Sequence, residues 1–589
     1  MEVTRLFDLL SRYAQKYKKT DALAGKENGQ WVKYSSQDFI DYSNYISYGL
    51  LTLGINKEDK IAIIANNRPE WNFADMGILQ TGAINVPIYP TISEDDMQFI
   101  LNDAGIKYVF VSSIELYEKV KKATANLSSI KDIYTFNKIN GAKHWLDLVE
   151  SGKQNKEKYA VQLESVKASI KGGDLATLLY TSGTTGNPKG VMLSHSNLVS
   201  NFYAVRNLPP IDDTCKALSF LPLNHVYERM LTYLYMYLGV SIYYAESLET
   251  IGDNIREVHP EVFSAVPRLL EKVYDKIVAK GSELTGIKKT LFFWALNLGL
   301  QHEPNGKNGW WYEFQLKLAN KIIFKKWREA LGGNVRAIVS GGAALQSRLA
   351  RVFWAAQIPV LEGYGLTETS PVIAVNTLEK DGLKFGTVGK VIEGVRVKIA
   401  EDGEILVKGP NLMMGYYKRP DLTAEVIDSE GWFHTGDMGI LEEGKFLKIT
   451  DRKKEIFKTS GGKYIAPQVI ENKLKESTFI EQVMVIGENQ KFASALIVPS
   501  FAVLKDWCEK QGVPYSTNME MIKNEMIVKR IREEVDRINS KLAPFETIKK
   551  FELLPREWTI DNGEMTPKLS LKRRVISEAN KQLINKVFN

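Results

Sequence analysis

Residues 180–190 read Tyr-Thr-Ser-Gly-Thr-Thr-Gly-Asn-Pro-Lys-Gly, the densest run of potential chemistry in the chain. Gly183 and Gly186 let a backbone approach phosphate oxygens and aim N–H groups at them. Thr181, Ser182, Thr184 and Thr185 add hydroxyl donors, and Lys189 brings a mobile positive charge. The set describes a loop that handles polyphosphate. It is not a Walker A loop, because the second glycine of G-x-x-x-x-G-K, counted from Gly183, falls on Pro188.

Four further clusters carry complementary groups. Ser340-Gly-Gly-Ala-Ala-Leu345 and Gly363-Tyr-Gly-Leu-Thr-Glu368 each follow an apolar, strand-like run. Strand ends of this kind open onto ligand crevices in α/β sheets. Gly341 and Gly342 in the first, and Gly365 in the second, permit close backbone approach. Tyr364 offers a ring face for a purine, Thr367 a hydroxyl, and Glu368 a hard oxygen for Mg²⁺. Trp432-Phe-His-Thr-Gly-Asp437 ends in a carboxylate suited to the two hydroxyls of a ribose, and Asp451-Arg452 complete the ribose contacts. Each cluster alone is an ordinary turn. In this order they describe an ATP site with a Mg²⁺ ligand, a ribose clamp and a phosphate loop.

These clusters need a scaffold, and the sequence alternates helical and strand patterns. Asp59–Ala65 and Ile106–Val111 read as buried strands with a helix over Trp71–Gln80 between them. Ala217–Leu221, Val262–Ala265 and Val335–Ser340 continue the series after the glycine loop. Alternation of this kind predicts a mostly parallel sheet covered by helices. Residues 270–330 read as a helical insertion, with the aromatic stripes Leu291–Leu298 and Trp310–Tyr312 assigned to packing. From Gly386 to Ile449 short β-type pieces with glycine turns suggest a small barrel-like part. Beyond it, strands at Val483–Ile486 and Ala495–Val498 and helices at Pro467–Lys475 and Met521–Leu542 form an α+β unit. The expected fold is therefore α/β: a large N-terminal domain over residues 1–450 and a small mobile C-terminal domain over residues 451–589.

Composition narrows the function. A chain of 589 residues exceeds a single core, and 44% hydrophobic with 25% charged residues is ordinary for a soluble enzyme. The net charge of +7 favours anionic ligands, yet no arginine-rich or RNP-like segment points to nucleic acid. Two cysteines, Cys215 and Cys508, exclude a disulfide framework and suit a reducing compartment. The six histidines never pair at helical spacing, so structural zinc is not expected. No basic-then-apolar leader opens the chain, and Leu6, Leu10, Tyr13 and Tyr17 recur as the face of a docked helix. Met230–Ala245 is the most apolar stretch, but it is too short and too rich in tyrosine to span a bilayer. A cytoplasmic location is expected, with room for peripheral association at the inner membrane face. Oligomeric state is not legible.

Taken together, Tyr180–Gly190, Tyr364–Glu368, Trp432–Asp437 and Asp451–Glu455 resemble the adenylate-forming superfamily of acyl-CoA synthetases, peptide-synthetase adenylation domains and beetle luciferases. The resemblance covers nearly the whole chain. It implies a ligase with ATP, Mg²⁺ and coenzyme A: a carboxylate attacks the α-phosphate, and a thiol then displaces AMP. Leu221–Arg229, Val266–Lys272, the insertion and Asp451–Pro467 are similar to the long-chain fatty acid branch. On that resemblance His225 lies near the acyl entrance, although a satisfied core histidine is the competing reading. Met230–Tyr244 walls an acyl tunnel or is plain core. Thr184 and Glu368 serve the metal and Asp451 is the hinge. Gly461, Gly462 and Lys463 face the pantetheine channel after domain rotation. Transfer to acyl carrier protein and a catalytically weak lipid-binding or regulatory homologue are the alternatives.

One position departs from the pattern. The superfamily's C-terminal catalytic lysine precedes a basic pair, and counting back from Arg573-Arg574 puts Ser570 in its column. Lys568 and Lys572 flank it by two residues, and an extended strand would show all three on one face. Lys568, directly after the Thr566-Pro567 turn, is the first candidate and Lys572 the second.

Overall fold

A computed structural model of the chain describes residues 2–181, 187–247, 249–560, 562–566 and 570–588. Its centre is a pair of large sheets. One has eight strands, with Lys60–Ile64 pairing in parallel with both Ile84–Pro87 and Ile106–Val111. The other has thirteen, and its parallel part runs through Ser241–Tyr244, Lys216–Ser219, Val262–Ala265, Ala337–Ser340 and Val360–Gly365. These strands are β-branched and apolar because both faces are covered.

Two helices, Pro69–Gln80 and Val226–Leu238, share one core and are buried along most of their length. A polar network crosses between them. Arg229 Nη2 lies 2.6 Å from Asp75 Oδ1, its Nη1 donates to Thr177 Oγ1 at 2.7 Å, and its Nε donates to the Tyr233 hydroxyl at 2.7 Å. Asn85 Nδ2 also donates to Asp75 Oδ1, at 2.6 Å. The N-terminal helix, Asp8–Lys16, docks as expected, with Leu6, Leu10, Tyr13 and Tyr17 buried. The Leu6 N–H donates to His195 Nδ1 at 3.2 Å, and burial pushes that histidine down to about 3, which keeps it a neutral acceptor.

The β-type pieces do not form a barrel. Val372–Val375, Lys390–Val391, Phe446–Arg452, Phe433–Glu442, Glu404–Lys408 and Arg396–Ile399 pair antiparallel, in that order, as an extension of the thirteen-stranded sheet. Tight turns join Arg396–Ile399 to Glu404–Lys408 and Phe433–Glu442 to Phe446–Arg452, and among the described residues no pairing closes the row into a ring.

After Arg452 the chain builds separate sheets. Ile480–Ile486, Ser494–Pro499 and Lys550–Leu553 form one of three strands, packed on Pro467–Leu474 and Glu525–Asn539 around Ile470, Val483, Ile497 and Ile531. The single helix expected over Met521–Leu542 is two, Asn518–Met521 and Glu525–Asn539. Asn524 interrupts it by accepting the N–H groups of Met526 and Ile527 as the cap of the second. The insertion is helical as expected: Pro267–Ser282, Gly286–Leu300 and Trp310–Ala319, the last continuing through a π-helical turn at Asn320–Phe324 into Lys325–Ala330. Its aromatic residues divide. Phe292, Phe324 and Trp327 pack in the core, whereas Trp310, Trp311 and Phe314 do not.

Candidate active site

The strand ends converge on a cavity of about 2580 Å³ between the large sheets and the C-terminal unit. A drug-sized ligand needs roughly 300–1,000 Å³, so several substrate groups fit here at once. Tyr364, Gly365, Thr367, Glu368, Gly341, Gly342, Asp437, Arg452, Thr181, Lys189 and His225 all line it.

Tyr364 sits at the end of strand Val360–Gly365, and its hydroxyl donates to Asp437 Oδ2 at 2.7 Å. Asp437 lies in strand Phe433–Glu442, paired in register with Arg452, whose Nε is 3.3 Å from Asp437 Oδ1. Burial raises the Asp437 carboxyl above the ordinary range, with Arg452 and Tyr364 opposing. The ring, carboxylate and guanidinium thus form one linked polar wall of the cavity. Only glycine fits at 365, since a Cβ there would meet the Pro371 carbonyl oxygen at 1.7 Å.

Glu368 lies in the short turn Thr367–Thr369, and its Oε1 accepts from the Tyr416 hydroxyl at 2.9 Å. Lys189 Nζ lies 5.2 Å from the Tyr416 ring centroid, so Tyr416 links the lysine to the carboxylate. Tyr416 arrives on a two-residue strand paired with Val191. Nothing in the sequence reading singled it out, and the Gly415-Tyr-Tyr417 run is the only local signal. Ser182, Gly183, Thr184, Thr185 and Gly186 lie outside the described residues.

Among the described residues, no three His, Cys, Asp or Glu side chains gather as a metal cage. Mg²⁺ does not require one, since it binds through one or two carboxylates plus substrate phosphates. Glu368 fits that donor set, being a cavity-lining carboxylate with no cationic partner among the described residues.

Glu362, also missed, lies two residues before Tyr364. It is buried, lines the cavity, and accepts the Leu345 N–H at 3.1 Å, tying the Gly341–Leu345 loop to the Tyr364 strand. Burial without a cation pushes it up to about 8.

His225 caps helix Val226–Leu238, with Nδ1 accepting the Tyr227 N–H at 3.1 Å, so the proton of the neutral ring belongs on Nε2. Along this helix Tyr227, Met230, Leu231, Leu234 and Tyr235 recur at helical spacing and line the cavity, and Val205 and Leu208 extend the apolar branch. The Tyr235 hydroxyl in this branch is buried without a hydrogen-bond partner among the described residues.

The opposite wall comes from the C-terminal unit. Asp451 is buried, and its carboxylate accepts the N–H groups of Arg452 at 2.6 Å and Gln468 at 3.1 Å. The second belongs to the first turn of helix Pro467–Leu474, so the side chain joins the last strand of the large sheet to the first helix beyond it. Burial pushes this carboxyl up to about 7. Arg573 binds Glu455 at 3.1 Å together with Glu471 and the Val485 carbonyl, and so fixes the segment that carries Lys572. Lys572 and Ser570 line the cavity. Thr566 N–H donates to the Ser570 carbonyl at 2.9 Å, Met565 bridges Leu571, and Lys572 precedes helix Arg573–Ala579. Lys568 lies outside the described residues. Gly461, Gly462 and Lys463 occupy the turn between Phe457–Lys458 and Tyr464–Ile465 and do not line the cavity in this arrangement.

Comparison with known proteins agrees with this geometry. A profile described as "AMP-binding enzyme" matches residues 10–417, and one described as "AMP-binding enzyme C-terminal domain" matches residues 454–589. The long-chain-fatty-acid–CoA ligase FadD15 of Mycobacterium bovis is 32% identical over 95% of this chain and 93% of its own length. Long-chain-fatty-acid–CoA ligase 1 of Homo sapiens is 32% identical over 97% of this chain and 85% of its own. The crystal structure of the anthranilate CoA ligase AuaEII with anthranoyl-AMP superposes with a TM-score of 0.72 at 17% identity, covering 98% of this chain and 97% of that one.

Proposed function

The chain belongs to the AMP-binding enzyme family, and from that premise we propose that its cleft activates a long-chain fatty acid with ATP and transfers the acyl group to coenzyme A. A carboxylate oxygen of the acid attacks the α-phosphorus, the bond to the bridging oxygen breaks, and pyrophosphate leaves. The thiol of coenzyme A then adds to the acyl carbonyl and gives up its proton, and AMP departs. The observation that carries this reading is a single cavity in which Tyr364, Asp437, Glu368 and Lys189 adjoin the apolar branch along Val226–Leu238.

Each residue has a role in that scheme. Tyr364 and the Gly341-Gly342 loop hold the purine, and Asp437 with Arg452 holds the ribose. Lys189 and the glycine loop take the β- and γ-phosphates, and Glu368 with Thr184 would hold Mg²⁺. Bound there, Mg²⁺ neutralises phosphate charge and eases attack by an anionic carboxylate. His225 faces the reacting carbonyl. The 565–572 loop brings a lysine, Lys568 or Lys572, to the α-phosphate. Burying the acyl chain contributes roughly 0.8 kcal/mol per CH₂, so the length of the apolar branch sets chain preference. Residues 1–450 and 451–589 act as two domains about Asp451, and rotation exchanges the lysine loop for Gly461–Lys463 between the two half-reactions.

Palmitate-dependent ATP–pyrophosphate exchange tests the first step, and supplying coenzyme A or holo-acyl carrier protein tests the second. No exchange overturns the reading, and a thioester on the carrier protein alone reassigns the acceptor. Lys568→Ala and Lys572→Ala, assayed for exchange and for thioester formation from pre-made acyl-AMP, identify the lysine as the one whose loss affects the first assay alone.

A further inference from the structure

The helix Trp310–Ala319 and its continuation Asn320–Phe324 leave one face uncovered. Trp310 is 80% exposed, Trp311 58%, Phe314 59%, Leu318 44% and Ile322 41%. At about 100° per residue these five side chains share an arc of roughly 120°, while Tyr312, Leu316, Ala319 and Phe324 bury the opposite side. The aromatic rings are ordered against one another. Trp311 stacks on Phe314 at 5.7 Å, and Trp310 meets Trp311 edge-on at 5.7 Å. Lys317, Lys321 and Lys325 are exposed on the same arc or at its margin. Lys325 also reaches Glu329 at 3.7 Å, and the one acid within Trp310–Phe324, Glu313, is half-buried. A contiguous apolar patch of this kind marks a contact surface.

We propose that this face docks on an anionic lipid bilayer. Tryptophan rings with lysines beside them suit the headgroup region, where the rings enter the acyl boundary and the ammonium groups meet lipid phosphates. A second copy of the chain is the poorer occupant, because a two-fold pairing of this face brings two lysine-rich surfaces together. The substrate proposed for the cleft partitions into the same bilayer, so docking brings the enzyme to its acid. The docking surface itself rests only on the exposed helix.

Flotation of the full-length protein with vesicles of phosphatidylcholine, alone or mixed with phosphatidylglycerol, tests this. The wild type should float with the anionic vesicles. The Trp310→Ala/Trp311→Ala/Phe314→Ala variant should lose roughly tenfold or more in partitioning. Lys317→Glu/Lys321→Glu, which changes only exposed side chains, should lose roughly tenfold on anionic vesicles. Unchanged thermal unfolding of the second variant makes its loss a surface effect. The proposal is overturned by a wild type that stays unbound, by both variants floating like wild type, or by a wild-type dimer that the aromatic variant converts to monomer.

Discussion

The two walls of the cleft are held by different kinds of bond. In the wall before Asp451, Arg229 and Asp75 are both fully buried, and Thr177, Tyr233 and Asn85 satisfy their remaining groups. Removing one member leaves a charge in the core with no partner. The wall after Asp451 meets the first through partly exposed pairs. Arg268 reaches Glu481, Lys475 lies 3.9 Å from Glu271, and Lys453 contacts Asp402 at 2.6 Å and Glu404 at 2.8 Å. Each of these pairs keeps some exposure, so each is better screened than Arg229–Asp75 and costs less to break. The difference separates a half whose ion pair is sealed in the core from a half joined to it by pairs nearer the surface.

The strongest attack on this contrast is Arg229→Ala. It should destabilise by about 3–5 kcal/mol, read from the denaturant midpoint, through the unpaired Asp75. A loss below about 1 kcal/mol would mean that the buried network does not hold the first wall. Glu368→Gln comes next. It should lower fatty-acid-dependent pyrophosphate exchange roughly a hundredfold while leaving the unfolding midpoint in place. Exchange near the wild-type rate would remove Glu368 from the metal role.

A pH experiment probes the first wall again. Glu228 is buried, the Ser219 and Ser264 hydroxyls alone donate to it among the described residues, and burial pushes it up to about 7. The unfolded chain ionises this group near pH 4.3, so the folded state binds more protons between about 4 and 7. Its contribution to stability is full below that window and is lost as pH rises toward 7. Relative to Glu228→Gln, the wild type should lose about 3 kcal/mol across the window. Parallel stability curves for the two proteins would place the titration elsewhere. The smallest effect is expected at the second wall. Arg268→Ala leaves Glu271 with Gln346 and Lys475, so it should cost about 1–2 kcal/mol in global stability, yet speed proteolysis of the Asp451–Glu455 segment. Unchanged cleavage would show that this ion pair does not hold the second wall.

Much of the fold and site was legible because it is written locally. The strand–turn clusters at 340–345 and 363–368, and the helix over Trp71–Gln80, each depend on residues a few positions apart. The helix over 521–542 was misread at Asn524, whose capping side chain outweighed a continuous apolar pattern. Tyr416 and Glu362 escaped because neither belongs to a short motif. Each matters through a contact with a distant part of the chain.

By itself the sequence determined the chemistry on offer: a run of glycines and hydroxyls with one lysine, a tyrosine ring beside glycines, several carboxylates, and a helical insertion. Local geometry and side-chain type suffice for those. Only the tertiary structure decided which groups meet. Tyr364 finds Asp437 across 73 residues, Glu368 finds Tyr416 across 48, and Arg229 finds Asp75 across 154. It also decided that Phe292 is core while Trp310 faces outward, and that the β-rich pieces extend a sheet instead of closing a barrel. Such pairings follow from packing of distant segments, and no periodicity along the chain records which face of a helix, or which edge of a sheet, will find a partner.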